Sequence, residues 1–176
     1  MTEALYEVPD TATGSSLDAR VAQMAAVIGA EHYPNGERAA LRRWSLEQPI
    51  PLAFYRLWLR HLGDDLPPEF QTPAWMTIAW GLATLGKEGH DPRRPLGQAL
   101  AESKFSEGRL EQLLSAPEDV RPSLFMSAVR FLAAKGERFN WREAAEFLLT
   151  QDPDRRESLC RRIATAFYRY QKHQEQ

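Results

Sequence analysis

Apolar residues recur along this chain at intervals of three and four, the spacing of one face of an α-helix, and nowhere alternate over a strand-length run. Val21, Met24, Ala25 and Ile28 predict a helix from about Leu17 to Glu31, with Ser16 placed to cap it and Tyr33-Pro34-Asn35-Gly36 as the turn that ends it. Two short helical segments follow around a break at Pro49-Ile50-Pro51. Ala40, Leu41 and Trp44 share a face of the first, and Phe54, Leu57 and Trp58 one of the second. The second starts near Pro51, since proline suits a first helical turn.

Thr72 is placed to cap, and Pro73 to start, a nearly all-apolar helix through Trp75, Ile78, Ala79, Leu82 and Leu85, which Gly86 ends. A charged loop over 87–95 leads to a short helix at Leu96 to Glu102, and Ser106 begins another carrying Leu110, Leu113 and Leu114. Glu118 onward predicts a longer helix with Leu124, Ala128, Phe131 and Leu132 inside. Phe139-Asn140-Trp141 opens the next, and Asp152-Pro153 caps a final helix lined by Leu159, Ile163, Ala166, Phe167 and Tyr170. The fold class is therefore all-α, a helical bundle of about eight or nine helices. It divides into a flexible N-terminal tail (1–16), an N-terminal helical part (17–116) and a C-terminal helical part (117–176), with room for two small subdomains.

The 176 residues suffice for one good core. One cysteine, Cys160, allows no intrachain disulfide, and the four histidines stand far apart, so no metal site is expected. With no apolar run of spanning length and no leader pattern, the reading is a cytoplasmic protein. Phosphate-cradling glycine loops and nucleophile elbows are missing. The acid pairs Asp64-Asp65 and Glu118-Asp119 suit helix starts better than proton transfer. Cys160 beside Arg161 and Arg162 has neighbours that lower a thiol pKa, but a half-buried small side chain is the simpler reading. No catalytic constellation and no cofactor site emerge, which points away from an enzyme.

Arginine is the remaining signal. Net charge is −2, yet residues 1–36 hold five acids against Arg20 alone, while the chain from Arg155 onward holds six bases against two acids. Local charge decides binding of a polyanion. Arg42-Arg43, Arg93-Arg94, Arg155-Arg156 and Arg161-Arg162 place adjacent guanidinium groups together, and Arg56, Arg109, Arg130, Arg138 and Arg142 add to them. Such groups repel unless an anion lies nearby, and phosphate fits the planar fork bidentately. The competing explanation is a solvated surface partly paired with glutamates such as Glu102, Glu107, Glu111 or Glu146. The tryptophans could stack on bases, but Trp58, Trp75 and Trp80 lie on apolar faces and belong to a core.

Several local patterns then coincide in order. Ala40-Leu41-Arg42-Arg43, Pro51-Leu-Ala-Phe-Tyr-Arg-Leu57, Leu96-Gly-Gln-Ala-Leu-Ala-Glu-Ser103, Ser106-Glu-Gly-Arg-Leu-Glu-Gln-Leu-Leu114, Phe139-Asn-Trp141 and a basic last helix reaching Phe167-Tyr168 resemble the CasB family, the small subunit of the type I-E CRISPR Cascade complex. The resemblance runs over about residues 18 to 170. It implies an all-helical two-part bundle without catalysis, present as two copies beside other Cascade subunits, guide RNA and target DNA. By the same resemblance Arg42 or Arg43, Arg56, Arg109, Arg130 and Arg161 or Arg162 take the family's basic positions, and Gln98 stands where arginine is common.

The expectation is a non-catalytic Cascade subunit whose arginine-rich helical faces bind nucleic acid and stabilise the guide RNA–target DNA R-loop and displaced strand. Its candidate contact residues are Arg42, Arg43, Arg56, Arg93, Arg94, Arg109, Arg130, Arg138, Arg142, Arg161 and Arg162. A subunit of that kind need not read sequence, because pairing with the guide does so. The rival expectation is a helical protein–protein adaptor that touches no nucleic acid.

Overall fold

The computed structural model describes residues 13–176, with side chains from Leu17 onward. Nine α-helices run through the described residues: α1 (Thr13–Gly29), α2 (Asn35–Arg42), α3 (Leu52–His61), α4 (Thr72–Leu85), α5 (Leu96–Glu102), α6 (Glu107–Leu114), α7 (Arg121–Ala134), α8 (Trp141–Leu149) and α9 (Pro153–Gln174). A 3-10 turn at Glu69–Gln71 leads into α4, and no strand forms among the described residues. The all-α expectation holds.

Helix starts follow side-chain chemistry. Ser106 Oγ accepts from the Arg109 amide, Asn140 Oδ1 from the Arg142 amide, and Asp152 Oδ1 from the amides of Asp154 and Arg155, so these side chains cap α6, α8 and α9, and the cap expected at Asp152 is observed. Other boundaries differ. Helix α1 begins at Thr13, which places Ser16 inside it rather than at its cap, and it ends at Gly29 rather than Glu31. Residues 1–12 of the tail lie outside the described residues. Asn35 and Gly36 open α2 instead of forming a turn, because Pro34 takes the cap position and needs no amide there. Thr72 is the first residue of α4 and not its cap, which falls at Gln71, and its hydroxyl donates back to the Pro68 carbonyl. Helix α7 starts at Arg121, three residues after Glu118.

Packing centres on α4. Every residue from Trp75 to Ala83 is buried, so this helix is apolar all round, as a central helix must be. It packs against α1, α2, α7 and α8. Buried residues from Val21 to Phe167 form one hydrophobic cluster that includes Trp58, Trp75, Trp80 and Trp141. Among these rings, Trp58 meets Trp75 edge-on at 5.1 Å and Trp141 meets Phe125 edge-on at 5.9 Å.

Two close approaches fix how the helices cross. A Cβ at Gly97 would lie 2.2 Å from the Ile163 carbonyl oxygen and 2.8 Å from the Phe167 amide nitrogen, so α5 meets α9 backbone to backbone. The loop between α4 and α5 is zipped to the approach to α8. Asp91 donates its amide to the Phe139 carbonyl at 3.0 Å, Asn140 its amide to the Arg94 carbonyl at 2.8 Å, and Trp141 its indole N–H to the Gly89 carbonyl at 3.2 Å. His90 Nδ1 accepts the Trp141 amide at 3.1 Å.

Candidate nucleic-acid interface

The arginines divide by what their guanidinium groups already hold. Three of them complete helix ends. Arg38 donates from Nε and Nη2 to the Ile28 carbonyl and from Nη2 to the Ala30 carbonyl, at 2.9 to 3.1 Å, closing the C-terminus of α1. Arg156 donates to the Thr150 carbonyl after α8. Arg121 donates to the Ala116 carbonyl after α6 and rests against the Phe147 ring. The last carbonyls of a helix have no partner within it, and a cation there also suits the helix dipole. Arg121 is only 4% exposed, and burial, then the nearness of Arg156, push its guanidinium below the usual arginine range.

A second group is paired with carboxylates. Arg56 chelates Glu37, at 2.7 Å for the closest contact. Arg94 joins Glu102 at 2.6 Å and Glu137 at 2.7 Å. Glu102 also accepts from Gln98 Nε2 at 3.0 Å, so Gln98 is tied into the same cluster. Arg142 contacts Asp18 and Glu146, and Arg162 contacts Glu146 at 2.6 Å. Arg138 lies 3.7 Å from both Glu88 and Asp91. The structure therefore brings Arg142 and Arg162 together through one carboxylate, and Arg94 and Arg138 onto the zipped loop.

A third group faces solvent. Arg42, Arg43, Arg93 and Arg161 are exposed, and no carboxylate among the described residues pairs with them. Arg109 is exposed and lies 4.4 Å from the Phe105 ring centre and 5.1 Å from that of Phe131. Arg130 lies 5.1 Å from the ring centre of buried Trp80. These stacked guanidinium groups are held in place without losing their charge.

Adjacent arginines thus separate into different roles. On α9 neighbours project about 100° apart, so one can bind inward while the next points out. In the α4–α5 loop the irregular backbone separates Arg93 from Arg94. Arg94 is bound, and Arg93 has no carboxylate partner among the described residues. Likewise Arg162 is bound, and Arg161 has no carboxylate partner among them. Along α9, Ser158, Arg161, Arg162, Thr165, Ala166 and Arg169 line one shallow concavity. Arg169 is the member not picked from the sequence. Its spacing of seven from Arg162 was the available signal.

Burial pushes the Cys160 thiol up, outweighing Arg121 and Arg156, which pull it down, so it remains a protonated, half-buried side chain. Among the described residues no group of three or more histidine, cysteine or acidic side chains is placed to hold a metal ion. No helix there is long and apolar enough to cross a membrane.

A family model described as CRISPR-associated protein Cse2 matches residues 37–168. This chain belongs to the Cse2 family. The matched region starts at Glu37, the partner of Arg56, and ends at Tyr168, so it takes in every candidate arginine from Arg42 to Arg162. Membership of the Cse2 family indicates a subunit of the CRISPR Cascade complex and confirms the resemblance drawn from the motifs. No curated protein and no solved structure matches the chain.

Proposed function

We propose that this chain is the non-catalytic small subunit of a type I-E Cascade surveillance complex, and that its exposed arginines hold the phosphates of the R-loop and displaced strand. The carrying observation is the face of α9, where Arg161, Arg162 and Arg169 line a single concavity with Thr165 between them and Ser158 one turn before. Among the described residues only Arg162 of the three is paired with an acid. An i, i+8 pair on a helix spans about 12 Å, so Arg161 and Arg169 address separated phosphates along a strand. Arg42 and Arg43 at the end of α2 and Arg93 in the α4–α5 loop offer further contacts. Each contact is weak and non-selective, which suits a subunit that leaves sequence reading to the guide.

The experiment is binding to single- and double-stranded DNA across a salt series, for wild type and Arg161→Ala/Arg169→Ala, alone and in the reconstituted complex. Phosphate contacts predict affinity that falls steeply with salt, no base preference, and a shallower salt slope in the variant. Unchanged affinity and R-loop lifetime in the variant within the complex would sink the reading.

A second reading, a protein–protein adaptor, is favoured by one observation. Leu52 and Phe70 are 68% and 65% exposed, with Leu59 and Leu66 also open, which is apolar surface suited to a protein partner. Loss of complex assembly in Leu52→Ser/Phe70→Ser, with R-loop lifetime indifferent to the α9 arginines, would select it.

A further inference from the structure

Between Ser158 and Lys172, helix α9 carries Arg161, Arg162, Arg169 and Lys172 and no acid. Glu146 holds Arg162, while among the described residues no hydrogen bond or ion pair engages the other three. In their midst stands Tyr168, 44% exposed. It follows Arg161 by seven residues and precedes Lys172 by four, offsets that return to one side of a helix, and Arg169 is next to it in the chain. Of the described Phe, Tyr and Trp side chains only Phe70 and Tyr168 are exposed, and only Tyr168 belongs to a basic run. Surface cations elsewhere lie on the rings beneath them: Arg109 on Phe105 and Phe131, Lys135 on Phe131, and Arg130 on Trp80. No cation among the described residues covers Tyr168, although three flank it. Buried Phe167 braces the ring edge to face, with centres 5.4 Å apart and planes at 88°. A helical tyrosine leans back over the preceding turn, and there Ala164 and Thr165 are too small to cover it.

We propose that Tyr168 is a stacking platform for an unpaired base, so that the strand lying along α9 is held as a single strand. The base lies on the tyrosine ring, and the phosphates on either side of it meet Arg161 in one direction and Arg169 and Lys172 in the other. The helical rise puts Arg161 about 10 Å and Lys172 about 6 Å from Tyr168 along the axis, so these cations flank a stacked base instead of competing for the ring. Every base has a π-face, so the contact adds affinity without reading sequence. Bases inside a duplex are stacked on one another and offer no face to a side chain beside the backbone, so the ring favours the unpaired strand. An exposed tyrosine alone would also suit a protein partner. The run of positive charge around this one, unbroken by an acid from Ser158 to Lys172, selects a polyanion. This inference rests on the phosphate-binding reading of α9 and adds to it the state of the strand and a base contact.

The test offers the intact protein three DNAs of equal length: a single strand, an abasic single strand and a duplex. Tyr168→Ala weakens binding of the base-bearing single strand about tenfold, the loss expected for one stacked base. It leaves the abasic strand and the duplex unmoved, since neither offers a base face. Tyr168→Phe keeps the preference, because the stacking face survives without the hydroxyl. The site is exposed and both replacements suit a helix, so melting temperature should stay at the wild-type value in each. A second arm uses the reconstituted complex with thymines along the displaced strand. Permanganate attacks thymines whose faces are open. One stretch protected in wild type becomes reactive in Tyr168→Ala and stays protected in Tyr168→Phe. Where the isolated chain binds no strand, this pattern decides alone.

Equal losses on base-bearing and abasic strands in Tyr168→Ala, or permanganate reactivity in the complex indifferent to that change, overturn the proposal. So does failure of complex assembly in Tyr168→Ala with the strand preference intact, which makes the ring a protein contact. The salt slope keeps the two readings apart. Tyr168→Ala removes no charge and holds the wild-type slope, whereas Arg161→Ala/Arg169→Ala lowers it. A base-dependent loss beside a slope that ignores the arginines sinks the phosphate reading and leaves the stacking one standing. A slope that follows the arginines with no base-dependent loss does the reverse.

Discussion

The indole of Trp141 occupies the space that a side chain at position 81 would need: a Cβ on Gly81 would fall 2.0 Å from Cη2 of Trp141 and 2.8 Å from the two ring carbons beside it. Helix α4 is notched at Gly81 so that the first residue of α8 can lie against it. The ring has no retreat, because its N–H is held by the Gly89 carbonyl and its faces and edges meet Phe139 at 4.7 Å and Phe125 at 5.9 Å.

Gly81→Ala is therefore expected to destabilise, although alanine is the better helix former. Forcing extra volume into a packed core costs about 1–3 kcal/mol, against a propensity gain of about 1 kcal/mol. With a rigid ring at 2.0 Å, the cost should exceed the gain. Urea unfolding should show a lower midpoint, and Trp141→Phe should shrink the effect of the glycine change in a double-mutant cycle. A Gly81→Ala protein as stable as wild type would mean that α8 does not seat in this notch.

Gly97→Ala tests the other close approach, and its obstacle is main chain. The Ile163 carbonyl and Phe167 amide belong to the hydrogen-bonded ladder of α9 and have no rotamer to change, so α5 and α9 must separate. Amide exchange in α9 should quicken more than in α4, and stability should fall by about 1–3 kcal/mol. Because the arginine stripe lies on α9, strand binding should weaken as well, with no arginine altered. Uniform exchange behaviour along the chain would contradict this account of the crossing.

The same two glycines mark what the sequence could and could not reveal. Apolar spacing gave the helices, and Asp152 before Pro153 the cap of α9, because those signals act within one turn, whereas Ser16 and Thr72 fall inside their helices. The start of α2 was misjudged for a local reason. Pro34-Asn35-Gly36 has strong turn chemistry, but Pro34 also serves as a cap, and Arg38 ties α2 to the carbonyls of α1. Long-range pairing was illegible. Nothing at Arg94 announces that Glu102 and Glu137, 8 and 43 residues away, will meet there, while its neighbour Arg93 has no carboxylate partner among the described residues. Arginines that close helix ends look the same in sequence as arginines open to a phosphate.

That distinction predicts opposite behaviour for two arginines. Removing Arg94 leaves Glu102 and Glu137 facing each other with their shared cation gone, in a site where all three side chains are largely shielded. Arg94→Ala should cost about 1–3 kcal/mol in unfolding free energy. Arg43→Ala removes an exposed group with no carboxylate partner among the described residues and should change stability by no more than about 0.5 kcal/mol. In the DNA salt series the order reverses: Arg43→Ala lowers the salt slope, while Arg94→Ala leaves it alone until the protein begins to unfold. Equal stability losses for the two variants would erase the division between structural and free arginines.

His90 should make the fold sensitive to mild acid. A backbone N–H can only donate, so the Trp141 amide fixes Nδ1 of His90 as acceptor and puts the ring proton on Nε2. Burial pulls the His90 pKa below 6.5, and Asp91 and then Asp18 only partly oppose it. As pH falls, the unfolded chain therefore takes up a proton before the folded one does. The stabilising contribution is fully present above about pH 6.5, the ordinary histidine value, and is lost as pH drops toward the folded pKa. His90→Asn places Oδ1 where Nδ1 stood and keeps an acceptor for the Trp141 amide without a titrating ring. Melting temperature measured between pH 7.5 and 5.5 should decline in wild type and decline less in the variant. Taking the difference between the two proteins removes Glu143, whose burial pushes its carboxyl up and so acts with the opposite sign. Parallel profiles would show that the loop between α4 and α5 does not depend on a neutral His90.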